Sequence, residues 1–285
     1  MTKRVGVIGS GIMGSSYAKN LLLAGYEVHG SDPLSEAQDR LTELGRKAHE
    51  TTGDWLADCD LIILSLLSPV VMRTVADELA TLLKAGQIVI ETGTFALTDK
   101  EAARDTLSAA SVILLNCPVS GTGAQAMNAD ILMLMPGPPN AIKTARPVVE
   151  HLTKGVIVAG AFRPGTQLKF VANHGVALHN TAAVETLAYV DALGLDHDML
   201  STDAGQSRMS DLRMPLMISG AYDPPTATLK RFEKDLNVIG DDIACLDLHA
   251  PMFDTCVGHY AQASRTLPET HDTVSVFGVY NSKYA

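Results

Sequence analysis

Short apolar runs alternate with segments of helical composition through the first half of the chain. Residues 5–8 are apolar, and after a glycine-rich turn residues 15–24 have helical composition, with Gly25 as a stop. A second run over residues 26–31 ends in Asp32, and residues 35–45 are polar and helix-favouring. Residues 61–66 (Leu-Ile-Ile-Leu-Ser-Leu) are a continuous apolar run, expected for a strand buried on both faces of a parallel sheet. Ser68 and Pro69 break it, and a helix to about residue 84 is predicted. Residues 88–90 form the next strand, stopping at Glu91-Thr92-Gly93-Thr94, before a helix over 97–109 and a strand over 112–115. Residues 131–135 are a further strand, closed by Pro136-Gly137-Pro138-Pro139, and a helix and a strand follow through residue 158. This alternation predicts a doubly wound parallel sheet, whose ligands sit beyond the carboxyl ends of the strands. Position alone makes Leu66, Leu67 and Thr94 candidate coenzyme contacts.

The texture changes after residue 162. Residues 165–193 contain no proline and predict one long helix, with Leu168, Val171, Ala172, Leu178 and Ala182 spaced along one apolar face. Lys169, Asn173 and Asn180 share another stripe, either a solvated polar face or a functional one. His174 and His179 lie about 140° apart around such a helix, so no metal site is expected from them. Beyond Gly194 only helical segments are read, including one over residues 229–239 that carries Lys234-Asp235-Leu236. The expected fold is an α/β Rossmann domain with a doubly wound parallel sheet, residues 1–162, and an all-helical C-terminal domain, residues 163–285. The long helix joins them.

The turn after the first strand carries the most specific chemistry. Gly9-Ser10-Gly11-Ile12-Met13-Gly14 is G-x-G-x-x-G between a strand and a helix, and Asp32 closes the next strand. In this context Gly9 allows the tight turn, Gly11 lets backbone approach a pyrophosphate, and Gly14 lets helix pack on strand. The helix N-terminus, at Ile12 and Met13, offers N–H groups to phosphate. A glycine turn without a ligand and a nucleoside-binding methyltransferase are the alternatives, and the acid at the end of the second strand favours a nicotinamide dinucleotide. Asp32 would accept hydrogen bonds from the adenosine ribose and repel a 2′-phosphate, and neither Pro33 nor Leu34 could bind one, so NAD is expected over NADP. Asn116-Cys117-Pro118-Val119-Ser120-Gly121-Thr122-Gly123, directly after a strand, is either a plain loop or an anion cradle.

Composition narrows the class. With 285 residues, 46% of them hydrophobic, the chain has material for two cores. A net charge of −10 argues against nucleic-acid or acidic-membrane partners. Cys59, Cys117, Cys245 and Cys256 form no C-x-x-C or zinc spacing and read as reduced, mostly buried thiols. The first strand begins too early for a signal peptide, and no apolar stretch reaches membrane-spanning length. A cytoplasmic location is therefore expected.

These landmarks resemble, in order and over essentially the whole chain, the β-hydroxyacid dehydrogenase family, which includes 3-hydroxyisobutyrate dehydrogenase and tartronate semialdehyde reductase. The family's G-x-G-x-M-G followed by A-x-N-L is here Gly9, Gly11, Met13 and Gly14, then Ala18, Asn20 and Leu21. Its D-x-S-T turn is similar to Glu91-Thr92-Gly93-Thr94, and its D-A-P-V-S-G-G to residues 116–122. Its G-x-x-x-K-x-x-N-N is matched by Gly165, Lys169, Ala172 and Asn173, and its K-D-L by residues 234–236. The resemblance implies hydride transfer between nicotinamide and a 3-hydroxy acid or its semialdehyde. It implies Lys169 as general acid/base, Asn173 orienting substrate and lysine, and Ser120, Gly121 and Thr122 binding the substrate carboxylate. Thr94 would lie by the nicotinamide, and Lys234 would close over the coenzyme. Lysine ordinarily titrates far above neutrality, so a basic role requires desolvation or a nearby cation. Asn116, Cys117, Gln125, Ala129 and Ala172 depart from the pattern, which points to a bulkier or differently charged substrate than the family's small acids. An imine reductase and a non-catalytic dinucleotide-binding module are the rival functions, and Lys169 counts against both. A homodimer or homotetramer is expected from the apolar residues the long helix has to spare.

Overall fold

The computed structural model describes residues 3–43, 45, 47–197 and 208–281. Strands β1 (Arg4–Ile8), β2 (Glu27–Ser31), β3 (Lys47–His49), β4 (Leu61–Leu64), β5 (Ile88–Glu91) and β6 (Ile113–Asn116) form one parallel sheet in the order β3-β2-β1-β4-β5-β6. Its helices are α1 (Ile12–Leu23), α2 (Ser35–Glu43), α3 (Pro69–Leu82) and α4 (Leu97–Ala109). The continuous apolar runs have the expected cause. Val5, Val7, Leu61, Ile63, Ile88 and Ile90 pack with Met13, Tyr17 and Leu21 of α1 on one face of the sheet. Their neighbours Ile8, Ile62, Leu64 and Val89 pack with Met72, Val75, Leu79 and Leu107 of α3 and α4 in a separate cluster. Period-two alternation is invisible because both faces are covered. Each fully buried side chain of this kind contributes about 1.5–3 kcal/mol.

Two strands were not visible in the pattern. Strand β3 is a polar three-residue edge strand. Val119–Ser120, expected to be turn-rich chain, is strand β7 and pairs antiparallel with β8 (Leu132–Leu134). After β7 come the short helix α5 (Gly123–Ala126), then β8, α6 (Pro139–Val149) and β9 (Gly155–Ile157). Strands β7, β8 and β9 make a second, three-stranded sheet, with β8 and β9 parallel.

Helix α7 (Phe162–Leu193) runs for 32 residues, about 48 Å. It begins three residues before Gly165. The chain divides into two compact units, Met1–Lys169 and Phe170–Ala285, and α7 contributes to both. The apolar face expected to be buried is instead largely outward, with Leu168, Val171 and Ala182 exposed. The buried stripe carries Phe170, Asn173, Ala177, Asn180, Val184 and Leu187, and Lys169 lies on that side of the helix by its spacing. The polar stripe faces inward because its amides find partners there: Asn180 Nδ2 donates to Tyr260 Oη at 3.2 Å. The helix has apolar residues on several sides, so periodicity alone could not choose between faces.

The second unit continues with α8 (Arg208–Ser219), α9 (Leu229–Cys245), α10 (Pro251–Thr266), a 3₁₀ turn (Thr273–Val276) and α11 (Phe277–Tyr280). Among its described residues the only strand-like pairing is one bridge, Thr228 to Asp272. Asp272 is buried and organises the loops around it. It accepts from Thr226 N and Oγ1 at 2.6 Å, and from Ala227 N and Val274 N at 3.3 and 3.1 Å. Burial alone would raise its pKa, but these bonds and the Arg213 guanidinium outweigh it and hold the carboxyl below its ordinary value.

The folded chain thus binds this proton less readily than the unfolded chain. The stabilisation is complete above the ordinary carboxylate pKa, about 4, and is lost as pH falls through the lower folded value. Asp272→Asn turns an amide N–H toward donors on one side and is expected to cost about 1–3 kcal/mol at neutral pH. The measurement is urea unfolding from neutral pH down to pH about 3. The gap between wild type and variant should narrow at the acid end.

Candidate functional site

The carboxyl ends of β1, β2, β4 and β5 bring the expected coenzyme residues to one edge of the sheet. Gly9 has φ +89°, and a Cβ there would lie 2.3 Å from Ser65 O. Its N–H donates to Ser31 O at 2.9 Å, which ties the turn to the end of β2. A Cβ on Gly14 would lie 1.9 Å from Gly9 O, so helix α1 can pack this close only with glycine there. Gly11 differs from both, since a Cβ built on it meets nothing within 4 Å. The backbone leaves open space beside the N-terminus of α1, which has no side-chain cap. Unpaired N–H groups of the first turn face such a space, as a pyrophosphate requires. These residues fit a dinucleotide.

Ile12 is half exposed, while the Met13 side chain is buried in the core, so Met13 offers a ligand its backbone. Asp32 is held from two sides: Oδ2 accepts from Ser10 N at 2.7 Å and Oδ1 from Leu34 N at 3.0 Å. Each carboxylate oxygen keeps further lone-pair capacity for a ribose hydroxyl. The Ser10 hydroxyl is buried without a partner among the described residues. Beyond β4, Leu66 is buried and Leu67 is 75% exposed. Thr92 joins the end of β5 to β4, donating from N and Oγ1 to Leu64 O at 3.1 and 2.7 Å, and Thr94 follows half-buried.

Beneath that turn lies a buried ion pair that the sequence did not reveal. Lys100 Nζ is 2.6 Å from Glu91 Oε2, and both side chains are 1% exposed. The ammonium also donates to Gly93 O at 2.6 Å and to Asn116 Oδ1 at 2.7 Å. Glu91 Oε1 accepts from Gly93 N at 2.5 Å. Asn116 Nδ2 reaches α7, donating to Phe162 O at 2.9 Å and Thr166 Oγ1 at 2.7 Å. Cys117 beside it is fully buried, and burial pushes its thiol far up, with Lys100 opposing only in part. A thiolate nucleophile is therefore disfavoured there. A lysine on an amphipathic helix reads as surface, and only the paired register of Glu91 and Asn116 could have hinted at a shared partner.

The expected substrate residues lie at β7 and the turn after it. Ser120 is half-buried. Gly121, at φ +147°, must be glycine because a Cβ would lie 2.4 Å from Ile131 Cγ2. Thr122 caps α5: its N–H donates to Gln125 Oε1 at 2.9 Å and its Oγ1 accepts from Gln125 N at 3.4 Å. The N–H and hydroxyl assigned to the substrate carboxylate are thus engaged by Gln125, itself a departure from the family pattern. Ala129, another departure, sits at φ +54°, where glycine is less strained. Asn20 of α1 donates to Ala126 O at 2.9 Å, so the A-x-N-L asparagine joins the coenzyme helix to α5.

On α7, Lys169 and Asn173 are one turn apart. Asn173 Nδ2 donates to Asp235 Oδ2 at 3.1 Å, and Lys234 Nζ is 2.8 Å from Asp235 Oδ1. The sequence assigned Asp235 no role. The K-D-L motif contained it, but only the structure shows it joining the motif to Asn173. His174 stacks on Phe253 with ring centroids 4.8 Å apart, and His179 is exposed. Among the described residues no group of three His, Cys, Asp or Glu side chains could hold a metal ion. Nor is any described helix long and apolar enough to cross a membrane.

Known proteins match the chain along nearly its whole length. A family model described as the NAD-binding domain of 6-phosphogluconate dehydrogenase matches residues 4–160. A second, described as the NAD-binding region of NADP-dependent 3-hydroxyisobutyrate dehydrogenase, matches residues 164–280. The chain is 29% identical over 249 residues to an L-threonate dehydrogenase of Cupriavidus necator, covering 85% of this chain and 84% of the relative. It is 24% identical to a probable 3-hydroxyisobutyrate dehydrogenase of Mycobacterium bovis, over 90% of this chain and 91% of that one. The crystal structure of 3-hydroxyisobutyrate dehydrogenase from Salmonella typhimurium superposes with a TM-score of 0.88 at 25% identity, over 97% of this chain and 99% of the other.

The open space at Gly11 can be tested directly. Gly11→Val should leave the thermal midpoint near that of wild type, while binding of NADH, followed by its fluorescence, weakens by at least about tenfold. Gly14→Ala should instead lower the midpoint, because its Cβ collides with backbone. Unchanged NADH binding in a folded Gly11→Val would show that no phosphate approaches there.

Proposed function

The chain belongs to the β-hydroxyacid dehydrogenase family, and within it we propose an NAD-linked dehydrogenase acting on a 3-hydroxy acid or its semialdehyde, with Lys169 as general acid/base. The observation that carries this reading is Lys169 on α7 with Asn173 one turn on, its amide fixed by Asp235. Bound nicotinamide accepts or supplies the hydride at its C4. The protein's part is to hold the substrate and move one proton. In the direction of oxidation Lys169 takes the proton from the substrate hydroxyl, and in reduction its ammonium returns one to the oxygen. General acid–base catalysis of this kind contributes about 10²- to 10⁴-fold. Asn173 orients the same oxygen against the lysine. Ser120 and the Gly121 N–H hold the substrate carboxylate.

Asp32 supports NAD over NADP, because its fixed carboxylate would repel a 2′-phosphate. The relatives named for L-threonate and 3-hydroxyisobutyrate set the first substrates to try. The departures at Asn116, Gln125 and Ala129 point to a bulkier or differently charged group than the family's small acids, acting through the shape of the loop, since Asn116 is buried and Gln125 caps α5. An imine reductase or a non-catalytic dinucleotide-binding module would have no use for Lys169. A homodimer or homotetramer accounts for the exposed apolar residues of α7, such as Val171 (70% exposed), Tyr189 and Leu193.

The decisive assay follows nicotinamide absorbance with L-threonate, 3-hydroxyisobutyrate and tartronate semialdehyde, for wild type and Lys169→Met. Turnover should fall by about 10²- to 10⁴-fold in the variant, while NADH binding persists. Equal rates would refute the lysine mechanism, and binding without turnover on any substrate would favour the non-catalytic module. Best turnover on 3-hydroxyisobutyrate or tartronate semialdehyde would count against the bulkier or differently charged substrate. Asp32→Asn should raise the ratio of kcat/KM for NADP to that for NAD by about tenfold or more. An unchanged ratio would remove Asp32 as the discriminator.

A further inference from the structure

Glu91, which stands where the family's D-x-S-T turn begins with aspartate, and the departure Asn116 meet on a single side chain. Glu91 and Asn116 are register partners at the ends of β5 and β6, and both bind the Lys100 ammonium. The ammonium donates to Gly93 O and Asn116 Oδ1 and lies in ion-pair contact with Glu91 Oε2. From this centre, bonds run in two directions. Lys100 and Glu91 grip both backbone polar groups of Gly93, the residue before Thr94. A Cβ on Gly93 would lie 2.4 Å from the Phe95 ring and 2.6 Å from Glu91 Oε1, so the turn closes tightly around the pair. In the other direction Asn116 binds Phe162 O and Thr166 Oγ1 in the first turns of α7, and Thr166 stands three residues before Lys169.

We propose that Lys100 is a positioning residue that fixes the separation between the turn carrying Thr94 and the turn of α7 carrying Lys169. The inference rests on the roles given above to Thr94 and Lys169. In reduction, hydride forms the new C–H bond at the carbonyl carbon, the C=O π pair moves to oxygen, and that oxygen takes the Lys169 proton. Hydride and proton therefore reach adjacent atoms and must arrive from two fixed places. The Lys100–Asn116 link is the short route by which one chain segment sets both. A misplacement of about 1 Å costs on the order of a hundredfold in rate.

The test cuts the link without opening the ion pair. Asn116→Ala leaves Glu91, Lys100 and Gly93 bonded and removes the tie to α7, and Thr166→Val removes, at nearly constant volume, the bond nearest Lys169 while Asn116 Nδ2 keeps Phe162 O. Both are compared with wild type on the best substrate of the panel. NADH affinity by calorimetry should stay within about threefold while kcat falls by about 10- to 100-fold. The deuterium isotope effect with NADH labelled at C4 should rise as hydride transfer becomes limiting. Unchanged kcat in a folded variant, or NADH affinity lost in step with kcat, overturns the proposal. If Asn116→Ala fails to fold, Thr166→Val decides alone.

Failure of the dehydrogenase reading is seen separately, as absence of wild-type turnover or full activity in Lys169→Met. In that case crystal structures of wild type and Thr166→Val with NADH compare the distance from nicotinamide C4 to Lys169 Nζ. A changed distance supports the positioning role, and an identical one overturns it.

Discussion

The buried pair of Glu91 and Lys100 is the interaction on which the upper edge of the sheet depends. Removing two charges from water costs several kcal/mol per ion, and the cost is offset only when every donor and acceptor is matched. Here the ammonium has three acceptors, and the carboxylate has the ammonium on one oxygen and Gly93 N on the other. Removing one partner would leave the other charge uncompensated, at a cost of about 3–5 kcal/mol. Such a pair tolerates little displacement, so the loops it binds share its rigidity. Replacing the family's acid at position 116 by asparagine is consistent with this balance. A second carboxylate would leave one ammonium facing two negative charges, whereas the amide accepts from Lys100 and donates toward α7.

The rest of the coenzyme edge is made of backbone, and its shape follows from the core below. With side chains packed on both faces, β1 and β4 have no freedom to shift, and the turn at Gly9 comes within contact of Ser65. The three glycines then divide the work. Gly9 and Gly14 are required by the protein's own packing, and Gly11 only by what approaches from outside. Asp32 is fixed by Ser10 N and Leu34 N, so the turn that would hold phosphate also orients the acid that would hold ribose.

Much of this was legible in the sequence because local rules and burial agreed. Continuous apolar runs marked β4 and β5, and the helix expected over about 97–109 is α4. The misses have distinct causes. Strand β3 is short, polar and at the sheet edge, and β7 has two residues, so neither carries a periodic signal. On α7 the apolar spacing identified the exposed face, because the buried one holds Asn173 and Asn180, whose partners come from α9 and α10. The partners of Lys100, Asp235 and Gln125 escaped for one shared reason. Each acts through a side chain brought close by the fold, and an unpaired reading of a charged or amide residue gives surface as its default. The departures at Asn116 and Gln125 were visible, but the structure was needed to show that Asn116 and Glu91 share Lys100.

If the loop after β7 holds the substrate carboxylate, as proposed above, the cap that Gln125 places on α5 has a consequence for how this enzyme could change its substrate. With Thr122 committed to that cap and Gly121 barred from carrying a side chain by Ile131, the loop presents little beyond main chain and the Ser120 hydroxyl. A surface of that kind offers selection few graded steps. Point changes within the loop either leave its outline alone or break the cap and refold it. Gradual drift in specificity must therefore come from residues elsewhere that border the same space, and abrupt shifts from replacement of the loop as a block.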